Sequence, residues 1–233
     1  CSVDFYEKVL LENCCYYLGN LKTNENREER KFKYWDFPAG KPNAVVNKGI
    51  GNAGKVFMGF GGNLPKAADL EESYKEAYLM GVLQNLLDIR LREVIREDKS
   101  GSYGISVNGY ITGVPDRYYR VKVNFGCEPG RQQELCDEII TQIKKLQNEP
   151  IENTYVDKIK ETYRRNREVN LYENYWWINR IESEMVLKTE PDWIAKDLDK
   201  LQSWITAENI QEAARKYLNT ENYVSVYMNP EKK

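Results

Sequence analysis

The chain has 233 residues, 41% of them hydrophobic, which is enough for one large packed domain or a domain with a piece of another. Its 34 Lys and Arg against 36 Asp and Glu leave a formal charge of −2, with no basic block to neutralise a phosphate backbone, so no nucleic acid is expected as a partner. It contains no histidine, the commonest neutral metal ligand and general base near pH 7, which excludes every Ser-His, Cys-His and H-E-x-x-H mechanism on these residues.

The five cysteines, Cys1, Cys14, Cys15, Cys127 and Cys136, form no C-x-x-C pair, so neither a disulfide framework nor a thiolate zinc cage is signalled. No apolar run approaches the roughly 18 residues of a membrane-spanning helix. The opening residues lack the positive segment and small-residue cleavage site of a signal peptide, and the chain is expected to begin inside a longer protein.

In chain order, Phe5, Val9, Leu10, Cys14 and Leu18 recur at helical spacing and predict an amphipathic helix over 3–18, stopped by Gly19-Asn20. Residues 1–21 are read as the closing helix of a preceding domain. Residues 22–54, rich in Asn, Lys, Glu, Gly and Pro, are read as a linker running into a strand. The domain proper is placed at 55–233, opening with a buried strand over 55–61.

A long helix is predicted over 68–97, its wide apolar face (Tyr78, Leu79, Val82, Leu83, Leu86, Leu87, Leu91, Val94, Ile95) implying burial against a sheet. Tyr103, Ile105 and Val107, then Tyr119, Val121, Val123 and Phe125, alternate with period 2, so 102–127 reads as an antiparallel hairpin turning near Gly113-Val-Pro-Asp116. Helices follow over 130–147, 152–187, 191–201 and 206–218, the last with Thr206 as N-cap, before a strand at 223–227. The order predicts an α+β fold, a mainly antiparallel sheet with helices on one face.

Leu87 to Val107 (LDIRLREVIREDKSGSYGISV) resembles the R-E-x-x-x-x-x-Y-G-V/I-S segment of the pitrilysin and insulin-degrading enzyme family of zinc metallopeptidases. Asn124 to Pro129 (NFGCEP), Arg167 to Asn174 (REVNLYEN), Ala213 to Leu218 (AARKYL) and Asn222-Tyr-Val224 fit the same family in order, over roughly residues 50–230. Members resemble clamshells of repeated α/β domains, with zinc held in the N-terminal half by H-x-x-E-H and a distant Glu. This sequence has none of those ligands and is similar to the zinc-free C-terminal domain of a bacterial-type member, a pitrilysin-like metalloenzyme fold. The resemblance implies no catalytic residue, cofactor or metal on this chain alone and zinc in the N-terminal half of the complete protein. It further implies two partners, that catalytic half (same chain or separate subunit) and an unfolded peptide substrate, in the periplasm or cytoplasm. By position it assigns Arg96 and Tyr103 to substrate contact near the scissile bond.

Elementary chemistry supports that assignment: peptide hydrolysis builds negative charge on the carbonyl oxygen, and a placed phenol or guanidinium stabilises it by ~3 kcal/mol per donor. The structural alternative is a cation favoured by the dipole at a helix C-terminus and a tyrosine at the core's edge. At the level of the whole chain, the alternative is a scaffold half of a peptidase-derived assembly without proteolytic activity.

Other features carry less. Gly59-Phe-Gly-Gly62 mimics a phosphate loop without the G-K-S/T that would follow, and residues 56–62 are instead a candidate sheet edge for pairing with a peptide backbone. Glu71-Glu72, Glu93, Glu97-Asp98 and Glu182/Glu184 read as solvated helix faces rather than an acid pair or cation site. Trp176, Trp177, Trp193 and Trp204 read as core and interdomain packing.

Overall fold

The computed structural model describes residues 6–22, 36–98, 104–113, 116–187 and 198–231. Five strands form one sheet: β1 (Asn43–Asn47), β2 (Gly54–Asn63), β3 (Gly104–Thr112), β4 (Tyr118–Cys127) and β5 (Val224–Asn229). Their spatial order is β1-β5-β2-β4-β3. Every pair is antiparallel except β1 with β5, which run parallel with Val45 opposite Tyr227. The α+β reading with a mainly antiparallel sheet therefore holds. The parallel pair was not anticipated, because it joins segments 182 positions apart that share no local pattern.

Among the described residues the helices are α1 (Glu7–Tyr17), α2 (Leu70–Leu91), α3 (Gln132–Asn148), α4 (Asn153–Asn170), α5 (Asn174–Leu187), α6 (Leu198–Ser203) and α7 (Ala207–Tyr217). The sequence explains where several begin. Asp69 caps α2, its Oδ1 accepting from Glu72 N at 2.8 Å, while Glu72 Oε2 accepts from the N–H of Ala68, the residue before the cap. Thr206 Oγ1 caps α7 by accepting from Asn209 N at 3.1 Å, as expected. The single helix anticipated over 152–187 is two, because the backbone turns at Leu171–Glu173 and Trp177 Nε1 donates to Leu171 O across the break.

One continuous core lies between sheet and helices. Val56, Met58 and Phe60 of β2, Ile105 and Val107 of β3, and Val121, Val123 and Phe125 of β4 meet Met80, Val82, Leu83, Leu86, Leu87 and Leu91 of α2. Each fully buried side chain of this kind contributes about 1.5–3 kcal/mol of transfer free energy. α3 and α7 complete the layer with Leu135, Ile139, Ile143, Ile210 and Ala214, so the period-2 and period-3.6 stripes meet on one side of the sheet.

One sequence-based expectation, a sheet edge over residues 56–62, holds only in part. Residues 56–59 are not a sheet edge, because β5 pairs with Lys55–Gly59 on one side and β4 on the other, whereas Phe60–Asn63 pair with β4 alone.

Candidate functional site: a helix-to-strand bend and an open sheet face

α2 is predicted as helix through residue 97, but its last stretch, Arg92–Asp98, is a π-helix. Such wider turns occur preferentially at functional sites. The described part of this bend is firmly tied. Ile95 is in the core, and Glu93 Oε2 accepts from Tyr155 OH of α4 at 2.7 Å. That hydrogen bond, assisted by burial, raises the Tyr155 pKa above the ordinary phenol value, so the proton stays on the donor. Lower on α2, Asp88 Oδ1 accepts from Val107 N at 3.2 Å and Gln84 Oε1 from Gly109 N at 2.9 Å. These amides lie on the outer edge of β3, so the helix covers the strand edge with its own acceptors. Arg96 lies on the π-helical backbone and its side chain is outside the described residues; Tyr103 lies outside them entirely, immediately before β3.

The second feature is the sheet face turned away from the helices. Register places Lys55, Phe57, Gly59 and Gly61 of β2 on it with Tyr118, Arg120, Lys122 and Asn124 of β4 and Ser106, Asn108 and Tyr110 of β3. Met228, Val226 and Val224 of β5 extend it. The strands thus present three cations and no carboxylate on this face. Arg120 stands 5.3 Å from the centre of the Tyr118 ring and Lys122 5.8 Å from that of Tyr110, and the two rings meet edge to face at 6.3 Å. Sequence reading missed this cluster by following the apolar half of the β4 alternation. The signal was the other half, Tyr118-x-Arg120-x-Lys122.

Asp36, Phe37 and Pro38 cross this face and enclose a cavity of about 210 Å³ with Phe57, Gly59, Arg120, Lys122 and Val224. The Phe37 ring sits directly over Gly61, where a Cβ would lie 2.7 Å from its Cδ2 and 3.2 Å from Tyr119 O. Glycine at 61 is what lets an aromatic ring approach the strand this closely.

A larger cavity of about 680 Å³ opens on the helical side between α2, α4 and α5, lined by Tyr74, Tyr78, Tyr163, Trp176, Arg117 and Arg167 among others. Burial pushes the Tyr163 phenol up to about 12, and burial together with the neighbouring Tyr163 raises Tyr78 as well, so both stay protonated donors at any physiological pH.

No zinc site fits the described residues. Histidine is absent from the sequence, and among the described residues no three Cys, Asp or Glu side chains converge. Burial holds the Cys136 thiol up at about 11, which leaves it a packed thiol rather than a ligand. Nor, among the described residues, is any helix long and apolar enough to cross a membrane.

A five-stranded, mainly antiparallel sheet with helices packed on one face defines the fold class. The family described as "Peptidase M16 inactive domain" matches residues 4–163, and the chain belongs to it. A zinc protease PQQL-like protein of Arabidopsis thaliana is 28% identical over 112 residues, covering 46% of this chain and 12% of the relative. The fold is shared with the ferredoxin protease FusC solved in complex with Arabidopsis ferredoxin (TM-score 0.77, 19% identity, 99% of this chain and 24% of that one). It is shared too with a protease from Helicobacter pylori (TM-score 0.75, 18% identity, 97% and 53%) and with the periplasmic protease PqqL from Escherichia coli (TM-score 0.73, 18% identity, 98% and 24%). The chain thus spans about an eighth of its Arabidopsis relative and between a quarter and a half of these solved chains.

Proposed function

We propose that this chain is the substrate-holding, zinc-free C-terminal domain of a larger zinc metallopeptidase, closing a chamber opposite a catalytic half that supplies the metal and general base. The observation that carries this reading is the match to a peptidase inactive domain over residues 4–163 in a chain without histidine. The partial span of its relatives is consistent with a missing catalytic half, on the same chain or a partner subunit. Residues 1–21 then belong to the end of a preceding unit. Arg96 and Tyr103 flank the bend between helix and strand and contact the peptide near its scissile bond, offering a guanidinium and a phenol to the developing oxyanion. The anchoring of the residues just before the bend, Ile95 in the core and Glu93 against Tyr155, supports this role, since donors help a transition state only when they are held in place beforehand.

The test is Tyr103→Phe in the complete protein. Turnover is expected to fall by ~10- to 1000-fold with zinc content unchanged and KM little altered, the signature of an interaction made in the transition state. Unchanged kcat would reject the role of Tyr103. A complete protein with no peptidase activity and no zinc would instead favour a scaffold half.

A further inference from the structure

From the open sheet face we infer that this chain binds extended peptide through that face and selects acidic segments, with Arg120 and Lys122 pairing with substrate carboxylates while Tyr110 and Tyr118 back them. The inference rests on the peptide-holding role above and adds its surface and its charge preference.

Three observations carry it. First, the chain as a whole is slightly acidic, yet the strand positions on this face hold Lys55, Arg120 and Lys122 and no carboxylate. Second, among the described residues Arg120 and Lys122 have ring partners but no ion-pair partner, whereas most other cations described as paired sit against Glu or Asp on the helices. A guanidinium and an ammonium standing on phenol rings are held upright and remain able to accept an anion. Third, the face already holds a short segment of acid and aromatic character. Asp36 lines the same cavity as both cations, and the Phe37 ring packs against Gly61. That segment shows in atoms what a substrate laid beside it on the same face meets: cations for a carboxylate and aromatic rings, Tyr118, Tyr110 and Phe37, for an apolar side chain. Asp36 neutralises at most one of the three positive charges, so the face stays attractive to a further anion.

Backbone pairing contributes little to this recognition. β2 is paired on both sides over Lys55–Gly59, and the β3 amides at 107 and 109 are covered from α2. Selection therefore falls to side chains on the face rather than to strand addition at those places.

The experiment uses the full chain and three unstructured peptides of equal length, built on Gly and Ser with one Phe, carrying Glu, Gln or Lys at the same positions. Isothermal titration calorimetry at low and at 0.5 M salt reads affinity. The Glu peptide is expected to bind at least ~10-fold more tightly than the Lys peptide, with the margin lost at high salt. In Arg120→Gln/Lys122→Gln the Glu peptide weakens to the level of the Gln peptide. In Lys144→Gln/Lys158→Gln, which removes two exposed charges from the helical layer, the margin persists. All four substituted side chains lie outside the core, and circular dichroism confirms that each variant is folded. If all three peptides bind equally, or if both double variants behave alike, the charge selection is overturned while the peptide-holding role stands. If no peptide binds up to millimolar concentration, both fall.

Discussion

Glu76 joins three elements through one carboxylate. It sits on α2 with its side chain 13% exposed, receiving Arg117 from the loop before β4 and Lys216 from α7. Arg117 also donates to Pro65 O at 2.8 Å, so the cluster ties both ends of the β2–α2 connection. Burial acts to raise the Glu76 pKa, but hydrogen bonds from Lys216 and Arg117 outweigh it and hold the carboxyl below the usual carboxylate range. A lowered folded pKa means the stabilisation is complete above the unfolded value of about 4.3 and is lost as pH falls through the lower folded value. Urea unfolding of the native chain should therefore lose stability between pH 5 and pH 3, and Glu76→Gln should lose less across that window. At pH 7 the variant should be about 1–3 kcal/mol less stable, below the 3–5 kcal/mol of a fully buried pair because Lys216 is half exposed. Equal pH slopes for the two proteins would remove Glu76 from the account. Exposed Glu161, held at about 2 by hydrogen bonds from Arg164 and Arg165, titrates in both and cancels in the comparison.

At the scale of elements, the contact between α2 and β3 decides how much of the sheet edge is available. Gln84 and Asp88 are one helical turn apart, and Val107 and Gly109 are two strand residues apart, so the two periodicities bring acceptor and donor together twice. Gln84→Ala should leave the Gly109 amide uncovered, lowering stability by about 1 kcal/mol and accelerating its hydrogen exchange by ~10-fold relative to its neighbours. Unchanged protection at Gly109 would show that the strand edge does not depend on the helix. This contact illustrates what was and was not legible beforehand. The apolar stripes of α2 and the alternation of β3 and β4 were readable, because Leu83, Leu87, Val121 and Val123 obey the period of their element. The polar positions between them, Gln84, Asp88, Arg120 and Lys122, read as ordinary surface, since their partners lie on other elements. The π-helical turn at Arg92–Asp98 has no residue signature, and it replaced the expected last α-turn. Arg96 and Tyr103 were reached through the motif, not through periodicity.

For the molecule as a whole, the described surface is uneven in what it leaves uncovered. No residue of α1 is buried, and Tyr6, Leu11, Tyr16 and Tyr17 are largely exposed. A helix with such a surface contributes little to the domain it is drawn beside. Removing residues 1–22 should move the melting temperature by less than about 2 °C, measured by calorimetry, whereas a fall of more than about 5 °C would mean that the helix packs on this domain after all. The outcome bears on the proposal that residues 1–21 finish a preceding unit. The interior position of β2 was hidden for a related reason. Its neighbour β5 pairs with it from 165 to 173 residues further along the chain, and no local pattern announces a pairing of that range.

The placement of β5 sets an order of events during synthesis. Until Val224–Asn229 leave the ribosome, β2 has a bare side and β1 has nothing to pair with, so a nascent chain exposes the glycine-rich strand to neighbouring polypeptides up to that point. Pairing of that one six-residue strand then gives β1 its partner and covers β2 along Lys55–Gly59 in a single step.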